Sequence, residues 1–292
     1  MSQTPLAKLA YHKRIRREIL VKGDLIPPLP DIVVRVLDLL NAGDTEPEQL
    51  EEHLQHDPVL VARMLGMVNS PFYGISRQIS SVREAVMVLG FRGLRSLILA
   101  SGTTKFLKRD YRCYGHDENG LWKHSLAVAS GAKALAATLG KDAEMREGLF
   151  VAGLLHDIGK MLLAPYLREQ EFERSTDAEL VELEQTALGV DHAEAGELVA
   201  RKWNLSDTVQ AVLAEHHRPP ENDLLREHVA IVRLADALAH NLGAGFESTQ
   251  KAEISQSDLE IVELTTDRWA ELRADLEDSV GAALAQLEAL AS

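Results

Sequence analysis

A single cysteine, Cys113, is all the thiol in the 292-residue chain. One thiol excludes an internal disulfide, suits a reducing compartment, and is too little for a thiolate metal cage. Cys113 lies in a polar stretch with no base beside it, so no Cys-His nucleophile is suggested. Aromatic residues make up only 5% of the chain. Basic residues number 31 against 45 acidic ones, a formal net charge of -14. Such a surface repels nucleic acid and anionic membrane, which argues against both as partners. Uninterrupted apolar runs are short: those at 96–100 and 149–155 fall below the ~18 residues a membrane span needs. The first ten residues have no apolar core and no small-residue cleavage site, so no signal peptide is expected. These absences point to the cytoplasm. Period-2 alternation bounded by hairpin turns is also missing, so no sheet is expected.

What is present is helix. Hydrophobic residues make up 46% of the chain, mostly Ala and Leu, which tilts the reading to all-α. Pro30-Asp31 opens an apolar-periodic run (Ile32, Val33, Val36, Leu37, Leu40) that stops at Asn41-Ala42-Gly43. Thr45 with Glu48 reads as a capping box. Asp57-Pro58 supplies an acidic N-cap and a proline at the first helical position. Ser81 with Glu84 reads as a second capping box, before a helix expected to end at Gly90. Asp191 starts another helix, ending near Trp203. A multi-helical bundle in three parts is therefore expected. Residues 1–120 form an N-terminal lobe ending in a polar connector (108–120), residues 121–245 a His-rich helical core, and residues 246–292 a linker and amphipathic helix. In that last helix Trp269, Leu272, Leu276, Val280, Ala283, Leu287 and Leu290 make a stripe at 3–4 spacing, expected to dock on the protein's own body. Lys8, Lys13, Arg14, Arg16, Arg17 and Lys22 make the N-terminus locally basic. Without aromatic interleaving this reads as an intramolecular contact with the acidic body.

The central part holds His124, His156-Asp157, His192, His216-His217 and Asp236. One histidine on a helix usually binds nothing. Seven His and Asp residues on several predicted helices are different, because bundles build interior metal sites from facing helices. Each also sits beside apolar sequence, where an unpaired carboxylate is costly and a cation compensates. Imidazole and carboxylate suit Fe, Mn, Ni, Zn or Mg, and the number of ligands allows one or two divalent ions. Neighbouring helix residues point about 100° apart, so His156 and Asp157 can flank one ion. Alternatively, Asp157 bridges two ions while His156 holds one. Lys160, three residues past Asp157, either contacts a substrate phosphate or is a surface lysine at a helix C-terminus. Gly153 to Gly159-Lys160 is no P-loop: the glycines are one residue too far apart, and Met161 replaces the Ser/Thr.

His124, His156-Asp157 and Asp236, with "LLHDIGK" around the pair, resemble the HD phosphohydrolase signature. His192 and His216-His217 match the ligands that dinuclear members carry for a second ion. The segments "IPPLPDIVVRVLDLL", "HDPVLVARMLGMVNSPFYG" and "SSVREAVMVLGFRGLRSLIL" resemble the HDOD family of bacterial signalling proteins, with similarity running from about residue 23 to about 245. That resemblance implies an all-α output module acting through a signalling partner supplied in trans, with a nucleotide or phosphate as candidate ligand. Many members of that family are eroded at the ligand positions, whereas this chain keeps the set. After His217 it runs Arg218-Pro219-Pro220-Glu221-Asn222 without a Gly-Tyr-Pro segment, which sets it apart from the cyclic-dinucleotide phosphodiesterases. The alternative implied is a metal-dependent phosphohydrolase, with Asp157 and Lys160 as the catalytic candidates.

Overall fold

In the computed structural model, residues 5–22, 25–42, 45–70, 73–167, 177–220, 223–244 and 251–291 are described. No strand occurs among them, only an isolated bridge between Tyr111 and His116. The all-α expectation holds.

Helix α1 (Pro5–Arg16) runs into a π-helical turn, Arg17–Lys22. Then come α2 (Asp31–Ala42), α3 (Pro47–Leu54), α4 (Pro58–Val68) and the long α5 (Val82–Leu107). Their starts are dictated locally. Asp57 accepts the Leu60 N–H ahead of Pro58, and Ser81 accepts that of Glu84. Two expectations shift. At α3 the capping box is formed by Glu46 and Gln49, while the Thr45 hydroxyl turns away to the Leu39 carbonyl. And α5 does not stop at Gly90. It kinks there, with Gly90 at φ 69° and ψ 178°, and then resumes. Only glycine adopts that conformation without strain, so the residue that reads as a stop serves as a bend. Between α4 and α5, Asn69 ties the turn shut: its amide donates to the Leu65 and Ile79 carbonyls and accepts the Ile79 N–H. Phe72, in the same turn, lies outside the described residues.

The stretch expected to be a polar connector contributes three side chains to the interior. Tyr111, Tyr114 and His116 are buried, and the Tyr111 hydroxyl donates to the Phe106 carbonyl at 2.6 Å. The polar residues around them disguise this.

The central helices are α6 (Gly120–Thr138), α7 (Ala143–Leu155), α8 (Lys160–Leu167), α9 (Asp177–Leu188), α10 (His192–Lys202), α11 (Asp207–Glu215) and α12 (Arg226–Asn241). Two more, α13 (Gln256–Ile261) and α14 (Thr266–Ala291), follow. Helix α6 is the axis, packing against α7, α12 and α14. Small residues permit this: a Cβ on Gly153 of α7 would stand 3.0 Å from the Ala129 backbone of α6. On α14, Trp269, Leu272, Leu276 and Val280 are buried, so the described part of the stripe docks on the body. The side chains of Ala283, Leu287 and Leu290 lie outside the described residues.

Two features cross the expected lobe boundaries. Helix α5 packs on α7, with Arg92 and Glu144 paired at 3.0 Å. And α1 lies on the central helices: Arg16 grips Glu194 at 3.0 Å and the Gly189 carbonyl at 2.9 Å. That contact gives part of the basic N-terminus its acidic counterpart. Lys8 and Lys22 have no described side chains.

Two helical stretches, Val82–Leu107 and Ala143–Leu167, are long and apolar enough to cross a membrane by length and composition, although their unbroken apolar runs are short. Of their most apolar windows, 61% and 89% is buried inside the protein, as in core helices.

Candidate metal centre

Helix ends build this site. His156 is the C-cap of α7, and Asp157 follows it in the tight turn before Lys160 opens α8. His192 is the first residue of α10, behind the Asp191 N-cap and its capping box with Glu194. His216 caps the C-terminus of α11. His124 and Asp236 project from within α6 and α12. All seven expected ligands come together, in groups whose ligand atoms lie within 4.8 Å of one another.

Asp157 is the hinge between two halves. Its Oδ2 lies 3.4 Å from His156 Nε2 and 3.5 Å from His124 Nε2, while its Oδ1 lies 3.3 Å from His192 Nε2 and 3.9 Å from His216 Nε2. His217 joins the second half, with its Nε2 2.9 Å from that of His192. Asp236 joins the first, with Oδ1 3.2 Å from His124 Nε2 and 3.8 Å from His156 Nε2.

The tautomers follow from the other ring nitrogens, because a carbonyl can only accept. His124 Nδ1 donates to the Ala244 carbonyl at 3.0 Å, and His156 Nδ1 to that of Gly153 at 2.7 Å. His216 Nδ1 donates to the Leu213 carbonyl at 3.0 Å. In the neutral rings each Nε2 therefore turns a lone pair inward, and those of His124 and His156 lie 3.3 Å apart. Asp157 Oδ1, Asp236 Oδ1 and His216 Nε2 are buried without a hydrogen-bond partner. Acceptors facing acceptors in a buried pocket call for a cation. The donor set fits a divalent ion of borderline hardness.

The charge states tell the same story. Burial alone would raise the Asp157 carboxyl, but Lys160, His156 and His192 outweigh it and hold it well below the usual carboxylate range. Asp236 is held down likewise, against burial, by His240, His124 and His156. Burial drives His216 to about 3, helped by its histidine neighbours, and lowers His124 and His217 as well. His156 and His192 go the other way. Burial opposes their charge, but Asp157 for the first and Glu184 for the second raise them. Two carboxylates thus stay ionised, and the charge that protonation of His156 and His192 brings beside them is the charge a bound cation would supply in its place.

Lys160 is no surface residue. It is 3% exposed, begins a helix instead of ending one, and its Nζ donates to Asp157 Oδ2 at 2.6 Å. Two buried neighbours, Glu184 and His116, and the partly buried His240 were not among the expected residues. Glu184 accepts the His192 Nδ1–H at 2.7 Å, the His192 N–H at 2.9 Å and the Tyr114 hydroxyl at 2.7 Å. This is the carboxylate–histidine pairing that orients metal-binding imidazoles. In the sequence it is one acid among several on α9, with nothing local to mark it. His116 stacks on His124 with ring centroids 6.0 Å apart. His240 lies 3.4 Å from Asp236 Oδ1, and its signal was available, since it stands four residues after a candidate ligand on one helix.

A family model for the HDOD domain matches residues 26–219. The chain is 26% identical over 225 residues to an uncharacterized protein of Treponema pallidum, covering 75% of this chain and 41% of that one. It is 32% identical over 169 residues to Ribonuclease Y of Thermus thermophilus, covering 58% of this chain and 24% of that enzyme. The chain thus spans less than half the length of these relatives. A crystal structure of an HDOD domain protein of unknown function from Geobacter sulfurreducens superposes with a TM-score of 0.71 at 25% identity, over 96% of this chain and 98% of that one. Likeness in sequence over both halves and likeness in fold over nearly the whole length agree: the chain belongs to the HDOD-domain family.

Proposed function

We propose that this protein is an HDOD-type signal-transduction output module that holds one or two divalent ions and acts through contact with a protein partner supplied in trans. The observation that carries the metal-binding part is the inward set of Nε2 lone pairs around Asp157 and Asp236, each donor fixed by a hydrogen bond behind it. His124, His156 and Asp157 would hold one ion, with Asp236 beside His124 and His156 as a further ligand; Asp157, His192, His216 and His217 would hold the other. When bound, such an ion supplies positive charge that ties the helix ends together and Lewis acidity toward a phosphate oxygen. Lys160 serves this reading by neutralising Asp157 from behind. The absence of a Gly-Tyr-Pro segment after His217 favours a role in contacts over cyclic-dinucleotide hydrolysis.

A second reading, a metal-dependent phosphohydrolase, is favoured by the complete ligand set and by the local likeness to Ribonuclease Y. In it Asp157 would position the ions and Lys160 would stabilise charge on a phosphate.

The test is metal content of tag-free protein by mass spectrometry, for the wild type and for His156→Ala/Asp157→Ala. One to two equivalents in the wild type, lost in the variant, is the expected result. A folded wild type that cannot be loaded with Fe, Mn, Ni, Zn or Mg would end the metal-binding reading. Turnover of nucleotides, cyclic dinucleotides or simple phosphate esters, abolished by Asp157→Ala, would move the assignment to the hydrolase.

A further inference from the structure

We infer that His240 is an additional metal ligand, seating a divalent ion together with His124 and Asp236 at the outward end of the cluster. The inference rests on the metal-binding reading above and extends its ligand set beyond the seven residues named there. Helix α12 sets Asp236 and His240 four residues apart, on one face and one turn from each other. His240 Nε2 lies 3.4 Å from Asp236 Oδ1, and His124 Nε2 lies 3.2 Å from the same oxygen. The rings of His124 and His240 are 4.8 Å apart between centroids, and one ligand atom from each of the three residues falls within 4.8 Å of the others.

Bonds of about 2.1 Å to an ion put neighbouring ligand atoms about 3.0–3.4 Å apart, depending on the polyhedron. The two edges that meet at Asp236 Oδ1 have that length. A hydrogen bond explains the His124 edge less well, because His124 Nδ1 faces the Ala244 carbonyl and leaves Nε2 as an acceptor beside the buried Asp236 Oδ1. The His240 edge also has the length of a His–Asp ion pair one helical turn apart.

Position gives the consequence. The side chains of Asp236 and His240 are each 10% exposed, against 0–2% for His124, His156, Asp157, His192 and His216; His217, in the other half, is also only partly buried. His240 therefore stands on the outward side of its own half, where solvent or a substrate would approach that ion. A catalytic ion keeps a coordination position open there, whereas a structural one is closed by protein. An imidazole at that place fills the shell from within, which is what a module working by contact requires.

Histidine side-chain 15N NMR of the full chain loaded with Zn2+ tests this residue by residue. His240→Phe, which keeps the ring volume and removes the lone pair, assigns the His240 signals. Circular dichroism checks its helix content, and His240→Gln stands in should it misfold. The expected result is a His240 Nε2 signal moved to the position of a metallated imidazole, with Zn2+ affinity at least about tenfold weaker in the variant. If the signals of His124, His156 and His192 move while that of His240 keeps its metal-free position, His240 only orients Asp236 and the inference fails alone. If no histidine signal responds to Zn2+, the metal-binding reading fails and takes this inference with it.

Discussion

Lys160 is the residue whose environment departs furthest from its sequence context. It stands in an ordinary helical stretch, yet it is buried with its ammonium on Asp157. Its removal leaves a buried carboxylate without its nearest cation, a change that typically costs about 3–5 kcal/mol. Lys160→Met should lose that much stability to urea in metal-free protein and much less once an ion is bound, because the ion then neutralises Asp157. Equal losses in both forms would show that Asp157 is neutralised by something other than these two cations. Glu184 acts one step further out, through His192. Glu184→Gln keeps the volume and weakens the acceptor, so metal affinity should drop by roughly 10–100-fold with the helical circular dichroism unchanged. Unaltered affinity would show that the Glu184–His192 pair does not tune metal binding. The seven residues that gather in the cluster were legible from their types and their apolar surroundings. Glu184 was not, because an acid that orients a histidine looks, in one dimension, like an acid facing water.

Among the elements, α5 carries the most information in its first turns. Gly90 lies in a region closed to other residues, and a Cβ there would meet nothing within 4 Å. Gly90→Ala should therefore cost about 1–3 kcal/mol through backbone strain with no steric clash. Urea unfolding measures it, and a neutral outcome would mean that the kink relaxes freely. At the start of the same helix, the Ser80 N–H and hydroxyl, then Arg77, hold the Glu84 carboxyl below its usual value. A depressed acid contributes stability above its unfolded value of about 4.3 and loses it as pH falls through the lowered folded value. Glu84→Gln should lower stability at neutral pH, with its curve meeting that of the wild type as pH falls through that acid window, because the variant lacks the contribution the wild type loses there. A curve parallel to that of the wild type would assign the acid sensitivity elsewhere. Helix starts were legible because a cap is a contact within four residues. The exception at Thr45 arose because two overlapping boxes were spelled out and the proline fixed which one formed.

Across the whole molecule, the cluster depends on how closely α10 lies over the turn that carries His156 and Asp157. A Cβ on Gly159 would stand 2.0 Å from the His192 carbonyl oxygen and 2.6 Å from the Gly196 nitrogen, both backbone atoms that cannot swing aside. Gly159→Ala should push α10 outward, costing about 1–3 kcal/mol, and should reduce the bound ions by the one shared by Asp157, His192, His216 and His217. Metal analysis reads this directly, and full occupancy in the variant would show that the two halves of the cluster tolerate separation. The sequence by itself determined the helical class, most helix ends, the donor types and the family resemblance, because each rests on composition or on spacings of a few residues. Only the tertiary structure decided which oxygen of Asp157 faces which histidine, that Lys160 is buried, that α1 lies on the central helices, and that Glu184 and His240 belong to the site. Those contacts join residues as far apart as Arg16 and Glu194, 178 positions along the chain. Helical periodicity repeats every 3.6 residues and says which face is apolar, but not which other helix that face will meet.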